Sequence, residues 1–392
     1  MSSRIGRPRI ARGRLLASAS LCLLCATARS APYVPSNDDA VLAELPAGTH
    51  YGDVAARRLA RDRVDVAIPL AQFYIQQARG SGDLRFLGYA EAALAPWIGR
   101  APANADVLVL QATVLQSRHE FAASLAVLDR ALAVRPKHPQ ALLIRATVLR
   151  VLGRYAEASA TCEQFAGLVE PRLAALCSES LRGLSGHLQT SYEALAGIST
   201  QGWLNSEKSW LYSELGEMAV RLGENAQAKV WFERDLRLAP TDFYVRAAYA
   251  DLLLSEGRPA EVLALLNGQD SFEPLLLRIA IAQAELHDPR LTQTRARLRG
   301  AFDAELQRGE AIHRREQARF LLEVEGEPKQ SLQAALQNWD VQREPDDFLV
   351  LLRAAKAAGE PLAAAPAANF VRTLGQDDVR TATLAAGMQA SP

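Results

Sequence analysis

The 392 residues hold 44 Lys and Arg against 44 Asp and Glu, so the whole chain is formally neutral at pH 7. Neutrality excludes a general electrostatic attraction to nucleic acid or anionic lipid. A single hydrophobic core of this size would normally split into domains, but an array of stacked repeats escapes that limit because each unit packs on its neighbours alone.

The first residues read as a leader. Arg4, Arg7, Arg9, Arg12 and Arg14 precede an apolar stretch over 15–28. Small residues then offer cleavage after Ala28 or after Ser30. This is the three-part build of a secretory signal peptide, which makes 1–30 a leader and the destination periplasmic or secreted. The alternative is an uncleaved segment that anchors the protein to the membrane. The apolar stretch falls short of the ~20 residues of a spanning helix, and no later segment is apolar enough to span. Leu21 and Leu24 precede Cys22 and Cys25, where lipid attachment would need a small residue. Adjacent arginines for twin-arginine export are absent from the leader. Cleavage would remove six arginines and no acid, leaving 38 basic against 44 acidic residues.

Residues 31–55, rich in Pro, Gly, Asn and Asp, read as a flexible lead-in. Segments 64–79 and 83–97 form a first hairpin pattern around Gly80-Ser81-Gly82. Unit 105–138 is clearer. Leu108, Ala112 and Leu115 share a helical stripe, and a turn follows at 118–120. Phe121, Ser124, Leu128, Ala131 and Leu132 mark a second helix that Pro136 ends. Unit 139–172 repeats this with Leu142, Ala146, Leu149, Gly153, Tyr155, Ala158, Cys162 and Phe165. Unit 209–242 has Tyr212, Leu215, Gly216, Ala219, Gly223, Ala228, Phe232, Leu236 and Pro240. Unit 243–274 has Ala250, Gly257, Leu266 and Pro274, with Pro259 where an aromatic would stand.

Phe121 and Tyr155, Ala112 and Ala146, Gly216 and Ala250, and Gly223 and Gly257 are each 34 residues apart, the period of a helix–turn–helix solenoid. Worn units fill 172–204 and 275–302. A further one ends near Trp339, which reads as a packed seam residue, and a last helix covers 347–358. The solenoid thus runs over 56–360 with about eight helix pairs. An Ala- and Pro-rich loose tail follows at 361–392, holding at most a short helix near 367–374.

These repeats resemble the tetratricopeptide repeat family in their small residue at position 8, Gly near 15, aromatic at 17, Ala at 20 and Pro at 32. The resemblance implies an all-α, right-handed superhelical solenoid of antiparallel helix pairs. It also implies that first helices line a concave face where peptides or partner domains bind. Mapping the exposed first-helix positions gives Val109, Thr113, Gln116, Leu143, Thr147 and Arg150 in front, and Trp210, Ser213, Glu217, Arg221, Tyr244 and Asp251 behind. The charges are mixed, so no acidic or basic ligand is preferred. Arg150, Trp210, Arg221 and Tyr244 are the expected anchors, because aromatic and arginine side chains carry interfaces. Glu217 and Asp251 complete the candidate set.

Nothing points to a reaction. The chain lacks a phosphate loop ending in Gly-Lys-Ser/Thr, a Gly-x-Ser-x-Gly elbow and a His-Glu-x-x-His pair. His50, His119, His138, His187, His287 and His313 are scattered, with His119 and His287 at turns, so no metal or cofactor is expected. The pairs Asp38-Asp39, Asp346-Asp347 and Asp377-Asp378 read as helix starts or loops. The arginine-rich segment 295–319 reads as a solvated helix face with i,i+4 pairs, or else as a docking strip for an acidic partner. Once the leader is gone Cys162 and Cys177 remain, an even pair that suggests a disulfide in an oxidising compartment, or otherwise two buried thiols. The expectation is an exported, non-enzymatic scaffold for a protein or peptide. The alternative is an accessory factor of an envelope machine, serving cytochrome maturation, polysaccharide export or outer-membrane biogenesis. Neither reading includes nucleic acid or a stable membrane span after cleavage.

Overall fold

The computed structural model describes residues 51–270, 272–307 and 313–389. The leader, its cleavage points, His50 and residues 31–50 of the lead-in lie outside the described residues. The helices in chain order are α1 (Tyr51–Ala60), α2 (Val64–Ser81), α3 (Arg85–Leu94), α4 (Ala105–Ser117), α5 (Phe121–Val134), α6 (Pro139–Val151) and α7 (Tyr155–Ala166). Next come α8 (Pro171–Arg182), α9 (Leu188–Ala196), α10 (Asn205–Leu222), α11 (Asn225–Leu238), α12 (Phe243–Ser255), α13 (Pro259–Leu265) and α14 (Glu273–Glu285). The last are α15 (Leu291–Gln307), α16 (Arg314–Phe320), α17 (Pro328–Trp339), α18 (Pro345–Ala358), α19 (Ala365–Leu374) and α20 (Val379–Gln389). A π-helical turn, Leu321–Glu325, extends α16. Among the described residues there is no strand.

Local chemistry sets the helix boundaries. Asn104 caps α4 by accepting from the amides of Asp106 and Val107, and Asp242 caps α12 through those of Tyr244 and Val245. Pro139, Pro171, Pro259, Pro274, Pro328 and Pro345 all stand in first turns. Proline costs nothing there, because the amide it lacks would have no partner inside the helix. Pro171 and Pro274 therefore open the next helix rather than close the preceding unit. Pro259 opens α13 where the repeat pattern has its aromatic.

Helices pack as eight consecutive hairpins, α2/α3 through α16/α17, and α18 then packs on the short turn Pro361–Ala364. This is a helical-repeat solenoid. Each first helix also touches the first helix of the next hairpin, from α4 with α6 through to α16 with α18, whereas successive second helices make no comparable contact. The layer whose members lie closest is the inner side of the curve, so the first helices form the concave face.

Small residues let the hairpins close. Ala112, Ala146, Gly216 and Ala250 lie at or near the centre of each first helix. A Cβ added at Gly216 would drive into the Phe232 ring of α11, so glycine is required by that close approach. Phe232 itself is fully buried in the cluster that unites α8 through α14. Cys162 of α7 and Cys177 of α8 form a disulfide with Cα atoms 5.8 Å apart, tying the third hairpin to the fourth. Trp339 is buried among Phe348, Leu351 and Ala355.

The C-terminal segment departs from the expected loose tail. It folds as the turn Pro361–Ala364, α19 and α20. Ala364 and Ala367 are buried, and Phe370 packs between Tyr155 and Trp339. The ring of Phe370 takes the space over Gly153, where a Cβ would lie 2.7 Å from it. Arg343 donates its amide to Val151 O at 2.8 Å, and Tyr155 Oη donates to Arg343 O at 3.2 Å. The last hairpins thus close onto the third. Phe370 meets Tyr155 more than two hundred positions earlier in the chain, so no local pattern announces that packing.

The arginine-rich segment also differs from expectation. Arg297 pairs with Asp270 at 2.7 Å and Arg299 with Glu325 at 2.6 Å, partners on neighbouring elements rather than one turn along the same helix. Arg319 with Glu323, at 2.7 Å, does keep the i,i+4 spacing.

Two stability outcomes follow. Gly216→Ala is expected to cost about 1–3 kcal/mol through overpacking against Phe232. Gly300→Ala, in open space within α15, should instead add about 0.5–1 kcal/mol. Denaturant melts of both variants check the contrast, and equal midpoints would refute it. Reducing the Cys162–Cys177 bond, which closes a short loop, should lower stability by about 3 kcal/mol in the chain-entropy account. Unchanged midpoints with and without reductant would count against that role.

Candidate functional site

The concave face carries a charged wall. It starts with Arg150 near the end of α6, which donates Nη1 to Glu214 Oε2 of α10 at 3.0 Å and Nε to Glu344 Oε1, the cap of α18, at 3.3 Å. On α10, one turn on from Glu214, Glu217 accepts a short hydrogen bond from the Tyr244 hydroxyl of α12. Another turn along, Arg221 is buried and donates to Gly183 O at 2.8 Å. Deeper into α12, Asp251 accepts from Arg278 Nη2 of α14 at 2.6 Å and from Arg319 Nη1 of α16 at 2.7 Å. Glu316 lies 3.6 Å from both Arg278 and Arg315. Asp347 is buried at the start of α18, where it accepts from Asn338 Nδ2 at 2.8 Å and from the Glu344 amide at 2.9 Å. The neighbouring Asp346 pairs with Arg380 at 2.8 Å.

Spacing on the helices explains the convergence. Glu214, Glu217 and Arg221 are three and four residues apart, so α10 turns all three to one side. Arg315, Glu316 and Arg319 do the same from α16. The wall is also wet, since Tyr244 is 47% exposed and the Asp346 side chain 53% exposed.

Burial and neighbours set the proton affinities in opposite directions. At Asp251 burial disfavours the charge, but Arg278 and Arg319 outweigh it and hold the carboxyl well below its usual range. Glu316 is likewise held to about 2 by Arg315 and Arg278 against the cost of burial. Glu217 goes the other way: burial and the charge of Glu214 raise it to about 7, despite Arg150 and the Tyr244 hydrogen bond. Burial, with the charges of Glu217 and Glu344, pushes the Tyr244 phenol well above its ordinary value. Burial also raises Asp347, to about 6, against the pull of Arg315. The wall therefore mixes satisfied ion pairs with two carboxyls, Glu217 and Asp347, at which burial outweighs the nearby positive charge.

The structure brings Arg150, Glu217, Arg221, Tyr244 and Asp251 onto this wall. Trp210, one turn before Glu214 on α10, belongs to the same side of the helix and is half-buried, packed against two core clusters. Of the front positions, Val109 and Thr113 are buried, and the hydroxyls of Thr113, Thr147 and Ser213 bond to carbonyls of their own helices. Nor is the face a set of free side chains, because Arg150, Arg221 and Asp251 are engaged by internal partners. Those partners include residues that the repeat pattern missed: Glu214, Arg278, Arg319 and Glu344. Some signal was present, since the pair Asp346-Asp347 and the arginine-rich segment both stood out. Asp347 acts as the expected helix-start acid and also faces Arg315 at 3.5 Å.

Among the described residues no three His, Cys, Asp or Glu side chains are grouped to hold a metal ion. No described helix is long and apolar enough to cross a membrane.

No family model and no curated protein matches the chain. Several solved structures are similar to it. One is a tetratricopeptide repeat protein from Parabacteroides merdae, at 16% identity, covering 59% of this chain and 93% of that one with a TM-score of 0.38. Another is PilF of Pseudomonas aeruginosa, at 21% identity, 64% and 95% coverage and a TM-score of 0.33. A third is human IFIT1, as a dimer with m7Gppp-AAAA, at 12% identity, 83% and 95% coverage and a TM-score of 0.42. These superpositions are loose and the identities low, so they say nothing about a ligand or partner of this chain.

Glu217 generates a pH prediction. Its folded value lies above the unfolded one, so it contributes stability that is present below the unfolded value of about 4.3 and lost as pH rises through about 7. Glu217→Gln removes that loss. The melting temperature of the variant relative to the parent should therefore climb between pH 5 and pH 8, and a flat difference would contradict the assignment.

Proposed function

We propose that this chain is an exported, non-enzymatic scaffold that receives a partner protein or an extended peptide on the concave face of its helical solenoid. One observation carries the reading. Tyr244 stands 47% exposed on an inner wall whose charges are otherwise tied into ion pairs, which makes it a rigid aromatic anchor on a preorganised polar surface.

Four features support it. The titratable groups of the wall are arranged as carboxylate–guanidinium pairs, without a nucleophile set against a base. Satisfied pairs hold the first helices in register, so binding needs little reordering of the wall. Export is supported by the leader-like composition of 1–30 and by the Cys162–Cys177 disulfide, which suits an oxidising compartment. The tetratricopeptide resemblance, carried by Gly153, Tyr155, Gly216, Ala219 and Phe232, agrees with protein binding.

Affinity capture from the envelope of the native organism, followed by mass spectrometry, tests the proposal. Tyr244→Ala should lower recovery of the captured partner by at least about tenfold, as expected for an interface anchor, with little change in melting temperature. Lys229→Ala, on α11 away from this wall, should leave recovery unchanged. Equal capture by Tyr244→Ala and the parent chain would show that the concave wall is not the binding face.

A further inference from the structure

Helix α20 packs against α18 and also against α10, so the chain lays its own last described helix on the inner wall. The contact is built from charge. Asp378 precedes α20 and accepts from the Arg380 amide at 3.0 Å. The Arg380 guanidinium reaches Asp346 of α18 at 2.8 Å and Asp378 at 2.7 Å. Asp378 borders the same small gap as Arg221 of α10. An Asp-x-Arg pair at the start of the helix thus pairs with an acid of α18 and lies beside a base of α10.

Among the described side chains the apolar part of the contact is thin. Thr381 is buried and Leu384 is half-buried against the last core cluster. Val379 lies over Gly223 yet remains 46% exposed. A gap of about 10 Å³ persists beneath the start of the helix, bordered by Arg221, Phe348, Gln376 and Asp378. By contrast α19 is locked by Phe370 between Tyr155 and Trp339. Between them stands Gly375 at φ 64, the left-handed cap that ends α19 and that favours glycine.

We infer that the wall between α10 and α18 is a docking groove for the first turn of a helix bearing an Asp-x-Arg pair, and that α20 fills it in the free chain as an internal ligand that can be displaced about Gly375. The inference rests on the concave face being a binding surface, and it names the chemistry of what binds there: a short helix with an acid at its cap and a base two residues on. Displacement would release Asp346 from Arg380 and leave it to pair with an outside helix of the same kind.

The test uses the full chain and its own segment as probe. A fluorescein-labelled peptide of residues 375–389 is titrated into the parent and into the full-length Arg380→Glu variant, whose internal helix has lost its hold on Asp346. The peptide should bind the variant at least about tenfold more tightly than the parent, in which the groove is already filled. Absent or equal binding overturns the proposal. Native-state amide exchange of the unmodified chain gives a second decision that needs no variant. The amides of α20 should exchange at least about a hundredfold faster than those of α18. A common rate for the two would show that α20 belongs to the core. Neither measurement involves an outside partner, so failure here leaves the capture experiment with Tyr244 standing as a separate question.

Discussion

Arg150 stands between two carboxylates, and neither belongs to its own hairpin. Glu214 is 64 residues ahead on α10, and Glu344 is 194 residues ahead at the cap of α18. A guanidinium enclosed on the inside of a solenoid must find opposite charge, because a buried charge left unpaired costs several kcal/mol. That requirement joins three hairpins far apart in sequence. Burial opposes the charge of Arg150, but the two carboxylates outweigh it and raise its proton affinity above the ordinary value. The same logic repeats at Asp251, held by Arg278 and Arg319. The inner wall is therefore a network in which first helices share charge, between neighbours from α12 to α18 and over long range from α6.

This network changes what a solenoid of stacked hairpins ordinarily is. Where each unit touches only its neighbours, stability is close to a sum of local terms. Here the last hairpins return to the third through Arg343 and Val151, through Tyr155, and through Phe370 set over Gly153. Phe272 also meets Gly82 of the first hairpin, where a Cβ would clash with its side chain. Long-range closure of this kind makes the array a single cooperative body and holds the concave wall in one shape. A preformed wall loses less freedom on binding than one that must be ordered by its ligand.

The same enclosure gives the wall its uneven electrostatics. Most carboxylates there are offset by a guanidinium and stay ionised. Glu217 shares Arg150 with Glu214 and retains its proton to near neutral pH. Tyr244 completes that spot with a hydroxyl directed at Glu217 and a ring open to water. Beside it, α20 rests on a charge pair and a narrow apolar stripe. The wall is thus rigid where ion pairs close it and yielding where the chain covers it with its own end.

Much of the architecture was legible because it is local. The 34-residue period in Ala112 and Ala146, and in Gly216 and Ala250, follows from the close approach of adjacent helices, a contact made within one hairpin. The candidate wall positions were legible for the same reason, since they follow from which side of a first helix faces inward. That Trp210 also packs against two core clusters depends on how the hairpins stack. The C-terminal helices and the partners Glu214, Arg278 and Glu344 were decided by the tertiary structure alone. Whether a charged side chain on an inner face is free or paired depends on what the curvature of the whole array brings opposite it. A repeat period carries no information about residues one superhelical turn away. The sequence by itself thus determined the hairpins, their stacking and the inward-facing positions. Closure of the array decided which of those positions remain open to another molecule.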